Sequence, residues 1–290
     1  MIWDIIKCMK PHVIAIAGPT ASGKTAMAIE LAHKVNGEII SADSRLVYKG
    51  FDIAAAKPTI EERQRIPHYL IDIVEPEYDY SAGDWERDAK KTILDIISRG
   101  KTPIIAGGTG LYFRVLLENY NLPQVETNYE LRAELDKREK EDLLKELENI
   151  DFITFERVKD SNKRRIVRAL EIIKTLGKPL SEISIQKEPE YEVEWKMPTL
   201  TSRKDLYEKI NKRVDIMIEN GIVEETKFLL KKHGRIPNFT CTIGYKEILE
   251  YIDGLCTLEE AADKLKQHTR NYAKRQLTWF RKNPNLEVNI

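Results

Sequence analysis

An excess of charge of one sign is missing from this sequence: over 290 residues, 47 Lys and Arg stand against 47 Asp and Glu. Taken whole, that balance argues against a strongly basic nucleic-acid binder, although binding depends on where the charges sit. Cysteine is scarce. Cys8, Cys241 and Cys256 are odd in number, far apart and form no CxxC, which argues against a disulfide framework or a zinc site. The apolar runs are short, Val13 to Ala17 being typical, and none approaches the roughly 20 residues that cross a bilayer. The opening MIWDIIKCMKP is interrupted by Asp4 and Lys7 and lacks an A-x-A cleavage pattern, so it reads as a short lead-in rather than a signal peptide. A cytoplasmic protein with no membrane partner is expected. Internal repeats and low-complexity tracts are also missing. What is present is 42% hydrophobic and 32% charged residues, enough for a real core in one large domain or two ordinary ones.

Strand and helix patterns alternate through the first 117 residues, which points to an α/β fold with a parallel sheet. His12 to Gly18 is an apolar run ended by Gly-Pro, and Lys24 to Val35 carries Ala28, Leu31, Ala32 and Val35 at helical spacing. Glu38 to Ala42, Tyr69 to Val74 and Pro103 to Ala106 read as further strands. Ser81 stands three residues before Asp84 and predicts a capped helix running to Arg99, stopped by Gly100. From Asn128 to Leu176 the texture turns helical: an acidic stretch over Glu134 to Asp151, then a basic helix over Ser161 to Leu176. Trp195 to Leu200 is expected to return the chain to the sheet, followed by helices at Lys204 to Glu219, Ile222 to Lys232, Gly244 to Tyr251 and Leu258 to Lys282. The organisation predicted is therefore a core over residues 1–118, a helical insertion over 119–194, and completion of the core with basic helices over 195–290.

GPTASGKT, formed by Gly18, Pro19, Thr20, Ala21, Ser22, Gly23, Lys24 and Thr25, fits G-x-x-x-x-G-K-[ST] in full. Glycines let the backbone curl so that several N–H groups face one anion, and the following helix adds its positive end. Lys24 supplies a mobile positive charge, and the Thr25 hydroxyl can ligate Mg²⁺. The motif specifies a polyphosphate or pyrophosphate, not a particular nucleotide. No apolar strand ends in the Asp that usually helps hold Mg²⁺ in such proteins. The acid that best fits a strand's carboxyl end is Asp43, within the polar cluster Asp43, Ser44, Arg45, Tyr48, Lys49, Asp52 and Lys57.

GPTASGKT, then S-x-D-S-x-x-x-Y-K-G-x-D-I-x-x-A-K-P over residues 41–58, then GGTGLY over Gly107 to Tyr112, resembles the tRNA dimethylallyltransferase family, bacterial type. RRIVRALEI, GKP, LYEKINKRVDIMIENG, IGYKE and YAKRQLTWFRK continue the resemblance in order over nearly the whole chain. It implies a P-loop NTPase-like parallel sheet with helices on both faces and an inserted all-helical domain that contacts tRNA. It implies transfer of a dimethylallyl group from dimethylallyl diphosphate to the N6 amine of an adenosine beside the anticodon, with Mg²⁺ as cofactor and tRNA as partner, in a monomer. By the same resemblance the P-loop holds the diphosphate, Asp43 is the general base, and Thr109 and Arg213 act at the reaction centre. Thr25 is the implied metal ligand, joined by Asp43 through water. Implied tRNA contacts come from Asp43, Ser44, Arg45, Leu46 and Thr109, from Arg132, Arg164, Arg165 and Arg168 in the insertion, and from Lys246, Arg270, Lys274 and Arg275. Tyr272, Trp279 and Phe280 read more readily as core packing than as base-stacking groups.

The chain departs from the family pattern in places. Ala54 and Ala55 stand where the family has Gly and Thr, so a positive φ at Ala54 and a hydroxyl contact at Ala55 are in doubt. Leu46 stands where many members carry Gln, and Lys159-Asp160-Ser161-Asn162 replaces H-P-N-D. Two other functions share parts of the pattern. A P-loop small-molecule kinase would leave the basic insert unexplained, and an adenylate isopentenyltransferase would not need two separated basic segments. Local charge supports a nucleic-acid partner after all. Seven bases and no acid lie between Lys264 and Lys282, whereas Glu134 to Asp151 holds eight acids and four bases, a local net of −4.

Overall fold

Five parallel strands, in the order β3-β2-β4-β1-β5, set the geometry on which the rest of the molecule depends. The computed structural model describes residues 10–118, 120–123, 125–183 and 188–290. Cys8 and the rest of the lead-in before Lys10 lie outside the described residues. β1 (His12–Ala17), β2 (Gly37–Ala42) and β4 (Thr102–Gly107) are apolar and almost wholly buried, as the inner strands of a parallel sheet must be. The register aligns Ala17 of β1, Gly107 of β4 and Ala42 of β2 in one row, so all three strands end level.

Two strands differ from the reading of the sequence. β3 is only His68–Tyr69, because Leu70 and Asp72 take positive φ values of 59° and 57° that a strand cannot hold. Asp72 then pairs with Lys57, and Val74 rejoins the fold through a single bridge to Tyr48. β5 is Glu192–Lys196 rather than Trp195 to Leu200; Pro198 has no N–H to give to a ladder, so the strand ends before it.

The chain divides into two units, Asn119–Glu188 and the remainder. In the larger unit, α1 (Lys24–Val35) follows β1, and α2 (Ala82–Ser98) begins with a capping box in which Ser81 and Asp84 satisfy one another's backbone. α3 (Gly110–Leu117) follows β4. The inserted unit holds α4 (Tyr129–Asp136), α5 (Lys140–Ile150), α6 (Phe152–Val158) and α7 (Lys163–Leu176) around Leu135, Leu143, Leu147, Ile166 and Leu170. α7 starts at Lys163 because the Asn162 side chain accepts from the Arg165 N–H and ends the non-helical entry. After β5 come α8 (Arg203–Glu219), α9 (Ile222–His233), the short α10 (Pro237–Thr240), α11 (Tyr245–Ile252) and α12 (Leu258–Phe280).

The buried acids are structural, and each is satisfied. Glu38 on β2 is 1% exposed and receives Arg99, Lys101 and the Tyr69 hydroxyl. Glu171 on α7 is fully buried and receives Arg132, Arg168 and the Asn128 N–H. Both carboxyls titrate below their usual range. Glu38 is drawn down to about 2, chiefly by its hydrogen bonds to Arg99, while the bonds to Glu171 more than offset the opposing cost of its burial.

Candidate functional site

Because β1, β2 and β4 end level, the three residues or loops that follow them meet at one place, the crevice where open α/β sheets bind ligands. The first is the Gly18–Gly23 loop. Gly18 and Gly23 adopt φ values of 158° and 88°, and Gly23 caps α1 from the left-handed region, which favours glycine. Gly18 lies under the Ser22 hydroxyl and Pro198, where an added Cβ would meet Oγ at 3.2 Å. Ser22 is 6% exposed and its hydroxyl has no hydrogen-bond partner among the described residues, so the loop carries an unused polar group.

Lys24 lies back against this loop, its Nζ donating to the Pro19 carbonyl at 2.5 Å. Burial pulls its pKa down to about 7, the charge of Asp43 pushes it up, and Arg213 adds to the lowering. Arg213, on α8, reaches the Thr20 hydroxyl at 3.4 Å, and burial lowers its pKa also. Two desolvated basic groups therefore face the loop. Neither forms an ion pair among the described residues, an arrangement that suits an incoming polyanion.

The second loop begins at Asp43. Its Oδ1 accepts the Arg45 N–H at 2.8 Å, which turns the chain back on itself and holds the carboxylate half-buried at the strand end. The third loop is Gly107-Gly108-Thr109-Gly110. The Thr109 N–H donates to the Ala42 carbonyl, and its Oγ1 accepts from the Ser44 N–H at 3.1 Å. Asp43 and Thr109 are thus stitched together, and the charge of Asp43 is felt by Lys24, Tyr112 and Tyr272. Burial, then Asp43, raises the pKa of both tyrosines, so their hydroxyls stay protonated beside the carboxylate.

The glycines of the third loop are explained by the protein itself. A Cβ at Gly107 would lie 2.1 Å from the Ala42 carbonyl oxygen, one at Gly108 2.2 Å from the Gln276 amide nitrogen, and one at Gly110 2.1 Å from the Trp279 ring. Gly110→Ala is therefore expected to force α12 away from α3 and to lower stability by about 1–3 kcal/mol, the usual cost of overpacking, read as a fall in thermal midpoint.

The remaining sequence candidates divide by what holds them. Ser44, Arg45 and Leu46 stay half-buried beside Asp43, with the Arg45 guanidinium reaching the Asn238 carbonyl at 3.4 Å. Arg132 and Arg168 are bound to buried Glu171, whereas Arg164 and Arg165 of the same unit are exposed. Lys246 is exposed on α11. On α12, the charge run of the sequence is partly neutralised: Lys264 pairs with Glu250 and Lys266 with Asp215. Arg270 bonds the Asn211 amide oxygen, and neither it, Lys274 nor Arg275 forms an ion pair among the described residues. Phe280 is core, as the sequence suggested. Tyr272 is not: it is half-buried, beside Thr109 and beneath the Arg275 guanidinium, 5.7 Å from the ring centre. The positive φ in the Ala54-Ala55-Ala56 run falls on Ala56, at 50°, while the Ala54 N–H donates to Glu225.

Sequence reasoning missed Gln276, which touches two of the three loops. Its signal was available in part. It lies four residues from Tyr272 and three from Trp279, on one helical face, but a buried glutamine reads as core until its partners are seen.

The oxygen donors here are of the kind Mg²⁺ takes beside phosphates: one hydroxyl, Thr25, and one carboxylate, Asp43. No cluster of three or more His, Cys, Asp or Glu side chains among the described residues could hold a metal alone. A bound ion would draw its remaining ligands from water and from an anion held by the loop.

The sequence model of the IPP transferase family matches residues 46–283. The tRNA dimethylallyltransferase of Thermomicrobium roseum is 43% identical over 281 residues, covering 95% of this chain and 85% of that protein. That of Carboxydothermus hydrogenoformans is 43% identical over 286 residues, covering 96% and 92%. The crystal structure of a tRNA isopentenylpyrophosphate transferase from Staphylococcus epidermidis superposes with a TM-score of 0.69 at 42% identity, over 96% of this chain and 92% of that one. A eukaryotic dimethylallyltransferase acting on tRNA superposes with a TM-score of 0.79 at 30% identity, over 93% and 70%.

Proposed function

This chain belongs to the IPP transferase family, and we propose on that premise that it transfers a dimethylallyl group from dimethylallyl diphosphate to the exocyclic N6 amine of an adenosine beside the anticodon of a tRNA, releasing pyrophosphate. One observation carries the chemistry. A loop lined by two desolvated basic groups, Lys24 and Arg213, stands next to a carboxylate, Asp43, held by its own turn, with the next residue, Ser44, bonded to Thr109. That arrangement supports reading the loop as a site for an anionic leaving group beside a proton acceptor.

In the transfer, the N6–C1 bond forms as the C1–O bond to the diphosphate breaks, and the electron pair of that bond leaves on the pyrophosphate. The loop N–H groups, Lys24 and Arg213 stabilise the charge gathering there. Mg²⁺, held by Thr25 and, through water, Asp43, would neutralise part of the same charge. An adenine amine is a weak nucleophile because its lone pair is delocalised into the ring. Asp43 orients that amine and takes its proton as the new bond forms. The Tyr112 and Tyr272 hydroxyls, protonated at working pH, leave Asp43 as the nearby acceptor. The base must leave its stack to reach this depth.

The reading extends to the partners: one tRNA anticodon stem-loop, one dimethylallyl diphosphate, and a cytoplasmic monomer. No helix among the described residues is long and apolar enough to cross a membrane. Arg270, Lys274 and Arg275 are the α12 cations set to meet phosphates. Replacing Lys274 or Arg275 by Ala is expected to reduce the slope of log affinity against log salt by about one each, measured by filter binding of the anticodon stem-loop over a salt series.

The deciding assay incubates unmodified tRNA with labelled dimethylallyl diphosphate and Mg²⁺, then analyses the nucleosides. Isopentenyladenosine is the expected product, and its absence overturns the reading. Transfer to free AMP in preference to tRNA would favour an adenylate isopentenyltransferase instead.

A further inference from the structure

Gln276 lies four residues before the C-terminal end of α12 and is 5% exposed. Its Oε1 accepts the Thr20 N–H of the diphosphate loop at 2.8 Å, and its Nε2 donates to the Gly108 carbonyl at 2.9 Å. The two partners fix the amide's orientation, since a backbone N–H needs an acceptor and a carbonyl needs a donor. Gly108 is shaped for this contact, because an added Cβ would lie 2.2 Å from Nε2. On the same face of the helix, Tyr272 meets the Thr109 side chain and Trp279 covers Gly110. Positions i, i+4 and i+7 of one helix thus grip three successive residues of the loop that carries Thr109.

From this geometry we infer that Gln276 is a positioning residue for the transfer: a single buried amide that locks the diphosphate loop to the Thr109 loop and so sets the distance between leaving group and base. Both of its hydrogen-bonding groups are taken by backbone. It acts through Thr20 and Gly108. The Thr20 N–H, spent on Gln276, is not free to turn toward an anion, which fixes the loop's curvature before the ligand arrives. The Gly108 carbonyl, tied down, holds Thr109 against Ser44 and thereby Asp43. A misplacement of about 1 Å between reacting groups is enough to cost about a hundredfold in rate. The inference rests on the transferase reading, and its test separates the two.

The test uses the full chain carrying Gln276→Met, which keeps the side chain's length and removes both hydrogen bonds. Inorganic pyrophosphate binding is measured by calorimetry, and tRNA transfer by steady-state kinetics, well below the thermal midpoint. Expected are a rise of about tenfold in the pyrophosphate Kd and in KM for dimethylallyl diphosphate, and a fall of about tenfold or more in kcat, with the tRNA Kd within about twofold of the parent. A residue that only stabilises the fold would lower the thermal midpoint and leave these constants in place. A folded variant with pyrophosphate Kd, KM and kcat all within about twofold of the parent overturns the inference. Should Gln276→Met not fold, Gln276→Asn, one methylene too short to span both loops, carries the same expectation and the same refutation. A parent protein that binds pyrophosphate but modifies no tRNA overturns the functional reading, and the pyrophosphate measurement then decides the role of Gln276 alone.

Discussion

Asp43→Asn is expected to lower kcat by about 10²–10⁴-fold, the usual contribution of a positioned general base, while the tRNA Kd stays within about threefold. Asn is the informative replacement. Its amide oxygen can still accept the Arg45 N–H at the 2.8 Å separation that builds the turn, so the loop keeps its shape. What it loses is the ability to take a proton. Asp43→Ala removes both, and any further loss it shows measures what the turn contributes to positioning. Single-turnover kinetics with preformed enzyme–tRNA complex separates chemistry from binding. Lost tRNA affinity with an unchanged rate of chemistry would make Asp43 a binding residue, and the base would have to be sought elsewhere. Among the described residues, no other carboxylate is placed by hydrogen bonds at the meeting of the three strand ends.

Glu38→Gln is expected to cost about 2–3 kcal/mol of stability, because Arg99 and Lys101 lose the charge they converge on while the site keeps its shape. This carboxylate is 1% exposed at the start of β2, far in function from the reaction but in the strand that delivers Asp43. The pH dependence follows from the same hydrogen bonds. In the fold, the hydrogen bonds from Arg99 draw the Glu38 carboxyl down from its ordinary 4.5 to about 2. A depressed carboxylate contributes stability that is complete above the unfolded value and is lost as pH falls toward the folded one. The parent and Glu38→Gln should therefore differ most above pH 5 and converge as pH falls from about 4.5 to about 2. Urea unfolding of both proteins at several pH values checks this. A gap that is constant over the whole range would mean that Glu38 contributes through shape and not charge.

Much of the fold was legible because its signals are local. β1 and α1 show themselves by an apolar run, a glycine loop and a 3.6-residue stripe, and α2 by a cap and a stop. β3 is shorter than its apolar run because Leu70 and Asp72 take positive φ values that residue type does not announce, and β5 begins earlier, on the alternating charged residues Glu192 and Glu194. Arg132 and Arg168 show the limit more sharply. In sequence Arg168 belongs to a basic helix suited to phosphates, and Arg132 stands between Glu130 and Glu134. In the fold, one buried acid, Glu171, takes both, and nothing in their spacing announces it.

The sequence alone determined the chemistry available here: a phosphate loop with its lysine, an acid after a strand, a threonine between glycines, and bases gathered toward one end of the chain. These follow from residue type and short spacing. The tertiary structure alone decided which of them work together. The level ends of β1, β2 and β4 bring Lys24, Asp43 and Thr109 into one crevice. The packing of α12 brings Gln276 across 256 positions of sequence to Thr20. The fold also turned the balance of 47 against 47 into a site. It pairs Lys264, Lys266, Arg132 and Arg168 with acids distant in sequence or buried, and leaves Lys24, Arg213, Arg270, Lys274 and Arg275 without carboxylate partners among the described residues. A charge counts toward binding only when no opposite charge already holds it, and that is a property of three dimensions, not of composition.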